Sequence, residues 1–275
     1  MRVVEQFVRG KLDDPSLCED AVVVTPGFAA VVDGATDVSG RSYAGVTGGR
    51  WAMLACVDAI QGLPPEAEAE TAVAALSAEL ANRIDPATPV AERPSASVTL
   101  FSAARREVWQ VGDVGFRWAG RPAPPRKRVD EIAVAFRVAV VAAEVAAGTI
   151  SLNAMTGDDP GRAAARPLLA RQGFFRNTPG PYGYAAVDGR PVPGSLMVVR
   201  PVPSHVRELT IASDGYPVIE NTLAESEATL TRLLARDPWC VGELAGTKGV
   251  RPGQVSFDDR AYLRLSLEPF ARIGT

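Results

Sequence analysis

Acidic residues recur in this 275-residue chain where apolar runs begin or end. Glu19-Asp20 precedes Ala21–Thr25, Asp33-Gly34 follows Phe28–Val32, and Asp113 follows Glu107–Gly112. Asp214-Gly215 comes after Glu208–Ala212, and Asp258-Asp259 stands before Arg260–Leu267. One such aspartate is an ordinary turn residue, because its carboxylate accepts from nearby backbone N–H groups and a following glycine supplies positive φ. Several drawn to one end of a fold are different, since like charges repel strongly unless cations neutralise them. Aspartate, glutamate, a backbone carbonyl and water form a ligand set for Mg²⁺ or Mn²⁺, whereas zinc calls for His or Cys. His205 is the only histidine, so a histidine metal site or a Ser-His-Asp triad would have to be built on it alone. Its place just before Glu208–Ala212 reads as structural.

The elements that must position these groups follow from periodicity. Ala21–Thr25 and Phe28–Val32 are short β-branched runs split by Pro26-Gly27, the pattern of a hairpin. Gly49–Leu63 repeats its apolar residues at helical spacing, and Pro65–Ile84 continues as an alanine- and glutamate-rich helix. Ser97–Ser102 and Glu107–Gly112 predict a strand pair, with Phe116–Ala119 a third strand before the proline-rich Arg121–Pro125. Val129–Ala147 predicts a helix, and Asn153–Pro181, rich in Gly, Pro and Arg without a period, predicts a functional excursion or flap. Tyr184–Val187, Ser195–Val199 and Glu208–Ala212 predict further strands, Leu223–Ala235 a helix and Arg260–Leu267 a closing strand. Strands in adjacent runs with helices grouped between them suit antiparallel sheets with helices on their outer faces, an α+β fold in one domain over residues 1–275.

Composition narrows the function classes. A 47% hydrophobic and 22% charged chain can build a large core. A net charge of −3 with scattered Lys and Arg does not supply the basic face that nucleic acid requires. Cys18, Cys56 and Cys240 are odd in number and form no CxxC pair, which fits a reducing cytoplasm better than a disulfide framework. The opening residues Met1-Arg2-Val3-Val4-Glu5-Gln6 lack the apolar stretch of a signal peptide, and Asp130, Glu131, Arg137 and Glu144 interrupt Val129–Ala147, so no membrane partner is expected. Neither a cysteine-phosphatase loop nor a Gly-x-x-x-x-Gly-Lys-[Ser/Thr] phosphate cradle is present.

The order of the acidic motifs resembles that of the metal-dependent type 2C protein phosphatases, as a divergent bacterial-type member. Cys18-Glu19-Asp20-Ala21 resembles the family's opening acidic pair and Val31-Val32-Asp33-Gly34 its metal-bridging Asp-Gly. Ser95-Ala96-Ser97-Val98-Thr99 with Val111-Gly112-Asp113 resembles its small-residue strand and Gly-Asp turn. Ile211-Ala212-Ser213-Asp214-Gly215 resembles its Ser-Asp-Gly motif, and Phe257-Asp258-Asp259 its terminal aspartate pair. The motifs are collinear from about Glu19 to Leu267. The resemblance implies a four-layer α-β-β-α sandwich, two antiparallel sheets flanked by helix pairs, with a binuclear Mg²⁺ or Mn²⁺ centre at one end. It implies that Asp33 bridges both ions, that Glu19 and the Gly34 carbonyl serve one, that Asp214 and Asp258 serve the other, and that Asp20 acts through water. Asp258 is preferred to its neighbour Asp259. Asp130 matches the aspartate that binds a third ion in some members, and equally reads as a solvated residue in the first turn of its helix. Two such ions acidify a shared water and stabilise the charge of in-line phosphoryl displacement, so no protein nucleophile is needed.

Three departures bear on the substrate. The family often carries a phosphate-gripping Arg four residues before its first Glu, and Pro15 stands there, with Arg9 and Lys11 nearby. After Asp33-Gly34 the chain reads Ala35-Thr36-Asp37 where many relatives have His or Met followed by Gly-Gly. The family's histidine proton donor has no counterpart. Arg41, Arg50 and Lys248 lie in Gly-rich neighbourhoods where backbone can approach an anion, although the ordinary reading of each is a solvated charge; Lys248, in Gly246-Thr247-Lys248-Gly249, is the first candidate phosphate grip. The expected activity is hydrolysis of a phosphomonoester, on a phosphoserine or phosphothreonine protein or on a small phosphorylated metabolite. The competing class is a non-catalytic relative whose 153–181 excursion binds a partner.

Overall fold

A computed structural model describes residues 1–36, 40–118, 127–152 and 157–267. Asp37, Ala119, the Arg121–Pro125 run and residues 153–156 of the excursion lie outside the described residues. Two antiparallel sheets form its centre. The first joins β2 (Asp20–Val24), β3 (Phe28–Gly34), β6 (Ala96–Ser102), β7 (Glu107–Val111) and β9 (Val198–Pro201) in the order β2-β3-β6-β7-β9. The second joins β1 (Arg2–Arg9), β8 (Gly115–Arg117), β10 (Glu208–Ala212) and β11 (Arg260–Ser266) in the order β1-β11-β10-β8. A two-stranded ribbon, β4 (Ser42–Tyr43) with β5 (Val46–Thr47), leads into the first helix.

Alternation along the strands divides the core. Phe28, Ala30 and Val32 of β3 face α1 (Gly48–Gln61) and α2 (Ala69–Asn82), whose Ala52, Ile60, Leu76 and Leu80 meet them. Ala29 and Val31 of the same strand point the other way, against Leu209, Ile211, Leu263 and Leu265 of the second sheet. Strand periodicity makes this division automatic, since successive side chains emerge on opposite faces. On the far face of the second sheet, Tyr262, Ala212 and Phe7 pack against Leu230, Leu223 and Leu234 of α5 (Leu223–Arg236). A capping box between Thr222 and Glu225 starts that helix. α3 (Arg128–Ala146) and α4 (Pro160–Leu169) pack on each other through Ala133, Ala165 and Leu169. The architecture is thus α+β, with one helix pair over the first sheet and α5 over the second.

Four readings of the sequence change. The first is β1, which pairs with β11 from Arg2↔Ser266 to Arg9↔Arg260 and was not anticipated. Its half-buried side, Val3, Glu5, Phe7 and Arg9, is too polar to signal a strand. Second, part of the 153–181 stretch is the helix α4, started by Asp159, whose carboxylate accepts from Arg162 N, with Pro160 in its first turn. Third, Tyr184–Val187 makes only isolated bridges, Arg176↔Tyr184 and Ala96↔Val187. Fourth, Ser195 belongs to a 3₁₀ turn, and the strand begins at Val198.

Candidate active site

Register brings the first acids together. Asp20 lies directly opposite Asp33 across β2 and β3, and Asp33 lies opposite Ser97 across β3 and β6. Both aspartates continue the inner rows of their strands, so they emerge between the two sheets at one end of the sandwich. Gly112 (φ +89°) then turns the chain after β7; a Cβ there would stand 2.2 Å from Ser97 Oγ. The turn lets Asp113 accept from Ser97 Oγ at 2.5 Å. From the second sheet, Asp214 follows β10 and Asp258 precedes β11. Asp33, Asp113, Asp214 and Asp258 line one pocket of about 120 Å³, with Asp130 from the first turn of α3.

Cations enter the same pocket. Lys127 Nζ sits 2.6 Å from Asp113 Oδ2 and 3.9 Å from Asp130 Oδ2. Lys248 Nζ lies 2.6 Å from Asp258 Oδ2 and donates to Thr36 Oγ1 at 3.1 Å. Arg162, from α4, also lines the pocket and donates to Thr247 O at 2.8 Å. Beside the pocket Lys11 Nζ meets three carboxylates: Asp259 Oδ2 at 2.7 Å, Glu19 Oε2 at 3.2 Å and Asp258 Oδ1 at 3.4 Å. Lys127, Arg162 and the role of Lys11 were not foreseen. Lys127 carried a weak signal in its position two residues before the predicted helix, and Arg162 in its position three residues after the helix-starting Asp159.

The remaining expected residues fall as follows. Glu19, 4% exposed, accepts from Thr47 Oγ1 at 2.6 Å and Thr36 Oγ1 at 3.3 Å besides Lys11. Thr47 is the N-cap of α1, so Glu19 is tied to that helix start. Gly34 packs against the same place: a Cβ on it would come within 2.2 Å of Gly49 O and 2.8 Å of Glu19 O. Asp259, 3% exposed, accepts from Lys11 N at 2.7 Å and Glu19 N at 3.3 Å, which makes it a tie between β11 and the 10–19 segment. Arg50 and Arg41 are not among the residues lining the acidic pocket. Arg50 donates to the carbonyls of Pro15 and Cys18 at 3.1 and 2.5 Å, and Arg41 pairs with Glu92 at 2.5 Å. Their guanidiniums brace loops, because each found a carbonyl or carboxylate nearer than the pocket. His205 is exposed in the turn before β10, at the end of that strand remote from Asp214.

Electrostatics divide the acids into two groups. Burial would raise Asp258, but Lys248 and Lys11 hold it below its ordinary value; burial would raise Asp113, and Lys127 likewise holds it down. Burial would lower Lys11 and Lys127, yet Asp258, Glu19 and Asp259 around one, and Asp113 and Asp130 around the other, keep both ammonium groups charged. In the second group Asp20 and Asp33 have no such relief, and Lys248 and Lys127 relieve Asp214 only in part. Burial, then Asp258 and Asp214, push Asp20 well up against an opposing hydrogen bond from Ser213, and burial with Asp214, Asp20 and Asp113 does the same to Asp33. Asp214 stands exposed at the pocket mouth, where surrounding protein, Asp258 and Asp113 push it up to about 7, an effect that nearby water screens. Asp130 is raised by burial and partly relieved by Lys127.

Next to the acids a second cavity opens, about 830 Å³, between α3 and the second sheet. Its walls are mostly apolar, including Phe116, Val134, Val138, Val218 and Ile219, and it shares Asp113, Lys127, Asp130 and Asp214 with the acidic pocket.

A divalent ion fits part of this site. All the donors are hard oxygens, and Asp20 Oδ2 is buried without a hydrogen-bond partner, an arrangement that is costly unless a cation approaches it. The Glu19, Asp258 and Asp259 side is different, since Lys11 already stands among those carboxylates. Among the described residues no group of three or more His, Cys, Asp or Glu side chains is drawn tightly enough together to hold a metal ion as it stands.

No family model matches the sequence, and no curated protein matches it. Solved structures do. The fold is similar to those of bacterial serine/threonine phosphatases. The serine/threonine phosphatase PstP of Mycobacterium tuberculosis aligns with 96% of this chain and 97% of its own at 17% identity and a TM-score of 0.47. A catalytic domain of PstP in complex with two manganese ions aligns over 96% and 97% at 15% identity and a TM-score of 0.49. Stp1 from Staphylococcus aureus aligns over 98% and 96% at 13% identity and a TM-score of 0.48.

Proposed function

We propose that this chain is a metal-dependent phosphomonoester hydrolase of the type 2C kind. The observation that carries the reading is the convergence of Asp20, Asp33, Asp113, Asp214 and Asp258, five acids from both sheets, at one end of the sandwich, with Asp20 Oδ2 unpartnered and buried. Asp20, Asp33 and Asp214 would hold Mg²⁺ or Mn²⁺. A bound ion supplies an acidified water and polarises the phosphoryl oxygens. The chain's own part is to present that ion and to bring positive charge to the phosphate. Lys248 and Arg162 line the pocket and have the flexibility to trade a protein partner for a phosphate oxygen. Lys127 keeps Asp113 ionised and Ser97 fixes its orientation.

The substrate is a phosphorylated protein or a small phosphorylated metabolite. No helix among the described residues is long and apolar enough to cross a membrane. A second reading, a non-catalytic binding module, is favoured by one feature: lysines already compensate several of the acids. Hydrolysis of para-nitrophenyl phosphate separates the two, assayed with Mn²⁺, Mg²⁺, Zn²⁺ or chelator beside a phosphopeptide and a metabolite panel. Turnover that requires Mn²⁺ or Mg²⁺ is expected, and absence of turnover with every metal and substrate would leave the binding module.

A further inference from the structure

The geometry points to a centre that holds one divalent ion, with the Lys11 ammonium as a built-in cation among carboxylates that the resemblance would share between two ions. This rests on the metal-dependent reading above. Lys11 Nζ is ringed by Asp259 Oδ2, Glu19 Oε2 and Asp258 Oδ1 at 2.7, 3.2 and 3.4 Å. An ammonium has three N–H groups, and three carboxylates are what it can satisfy. Its position is built: the Lys11 backbone N–H donates to Asp259 Oδ1 at 2.7 Å, so main chain and side chain grip the same carboxylate from two directions. The side chain is only 15% exposed, which leaves little room to swing the charge into water.

The carboxylates around Lys11 are also used up by other donors. Glu19 accepts from Thr47 and Thr36 as well as Lys11, and Asp259 also accepts from Glu19 N. Asp258 Oδ1 accepts from Asp259 N at 3.0 Å, and its Oδ2 pairs with Lys248. A divalent ion placed among these groups would have to expel a buried ammonium and meet its repulsion at short range. On the other side the situation reverses. Asp20 is 4% exposed with Oδ2 unpartnered, Asp33 faces it across the hairpin, and Asp214 lines the pocket with Asp33. One ion there meets Asp20 and Asp33, which pair with no lysine or arginine among the described residues, while Lys127 and Lys248 of the same pocket are engaged by Asp113 and Asp258.

The test counts ions on the whole chain. Metal-free protein is titrated with Mn²⁺ by calorimetry, and the loaded protein is examined by electron paramagnetic resonance, which distinguishes a lone Mn²⁺ from an exchange-coupled pair. The expected result is one ion per chain with an uncoupled signal in the wild type, its loss in Asp33→Asn, and a second, coupled ion in Lys11→Met. Two coupled ions in the wild type would overturn the inference and leave the hydrolase reading standing. No binding at all would overturn both, and a single ion in a folded Lys11→Met would remove Lys11 from the role. If Lys11→Met folds only when Mn²⁺ is supplied, that dependence itself supports the substitution of ammonium by metal. Lys11→Arg, which keeps the charge, is expected to retain one ion.

Discussion

Arg137, with no exposed surface, donates from Nε to Asp159 Oδ2 at 2.9 Å, tying the middle of α3 to the N-cap of α4. Its other nitrogens hold the carbonyls of Cys240 at 2.7 Å, Gly246 at 2.9 Å and Trp239 at 2.6 Å. A single guanidinium therefore fixes the loop that carries Lys248 to the helix pair that carries Arg162. Replacing Arg137 with methionine leaves those carbonyls and Asp159 without their donor, and removing one partner of a buried pair costs about 3–5 kcal/mol. A clear fall in thermal midpoint is expected, together with faster proteolysis in the 239–248 loop. A midpoint equal to wild type would mean that the loop is held by other contacts.

The Arg137 cluster also shows where sequence reading stops. The acid motifs were legible because each combines an apolar run with a turn residue, a signal contained in a few neighbouring positions. The two-sheet core was legible for the same reason, since Phe28–Val32 and Arg260–Leu267 alternate or stay apolar through their length. The cations were not, because a lysine announces no partner: Lys11 and Asp259 are 248 residues apart and meet only through the pairing of β1 with β11. α4 was hidden by Pro167 within it and by its arginines, although Asp159-Pro160 was a readable start.

Asp33 and Asp259 should fail in different ways. Asp33→Asn removes a charge at the pocket and little packing, so metal-dependent hydrolysis should be abolished while the fold persists. Asp259→Asn weakens ties to Lys11 and Glu19, so it should lower the thermal midpoint and affect metal affinity less. Asp214→Asn should reduce Mn²⁺ affinity more than Asp258→Asn, because Asp258 already has Lys248 and Lys11. Calorimetry and thermal melts on the four variants check this; equal affinity losses at 214 and 258 would return Asp258 to the ligand set.

Metal removal should expose a pH dependence of definite sign. Asp20, Asp33 and Asp214 have carboxyls raised in the fold, the last to about 7, so the folded state binds more protons than the unfolded chain above the usual carboxylate range near pH 4. Stability then falls as pH rises through that window. Asp113 and Asp258 are lowered and act oppositely, losing their contribution only as pH drops below it. In chelator the thermal midpoint should accordingly be higher at pH 5 than at pH 7.5, and Mn²⁺ should flatten or reverse the difference. A chelated protein more stable at pH 7.5 would mean that these carboxylates are already compensated.

The phosphate grip is the last expectation, since the resemblance drawn from the sequence leaves Pro15 at the position it would give to a phosphate-gripping arginine. Lys248 has its ammonium 2.6 Å from Asp258 and 3.1 Å from Thr36, at the pocket rather than beyond it. A lysine is a point charge on a flexible stem, so it can turn from a carboxylate toward a phosphate oxygen without the planar match that an arginine demands. That contact is made with substrate and transition state alike, so Lys248→Ala should raise KM more than it lowers kcat. Arg162 is the competing cation, held closer to Thr247 and raised on a capped helix, and Arg162→Ala is the parallel test. Steady-state kinetics on para-nitrophenyl phosphate decide between them. A raised KM in Lys248→Ala alone assigns the grip to the loop, a raised KM in Arg162→Ala alone transfers it to α4, and an unchanged KM in both would mean that phosphate is held without either cation.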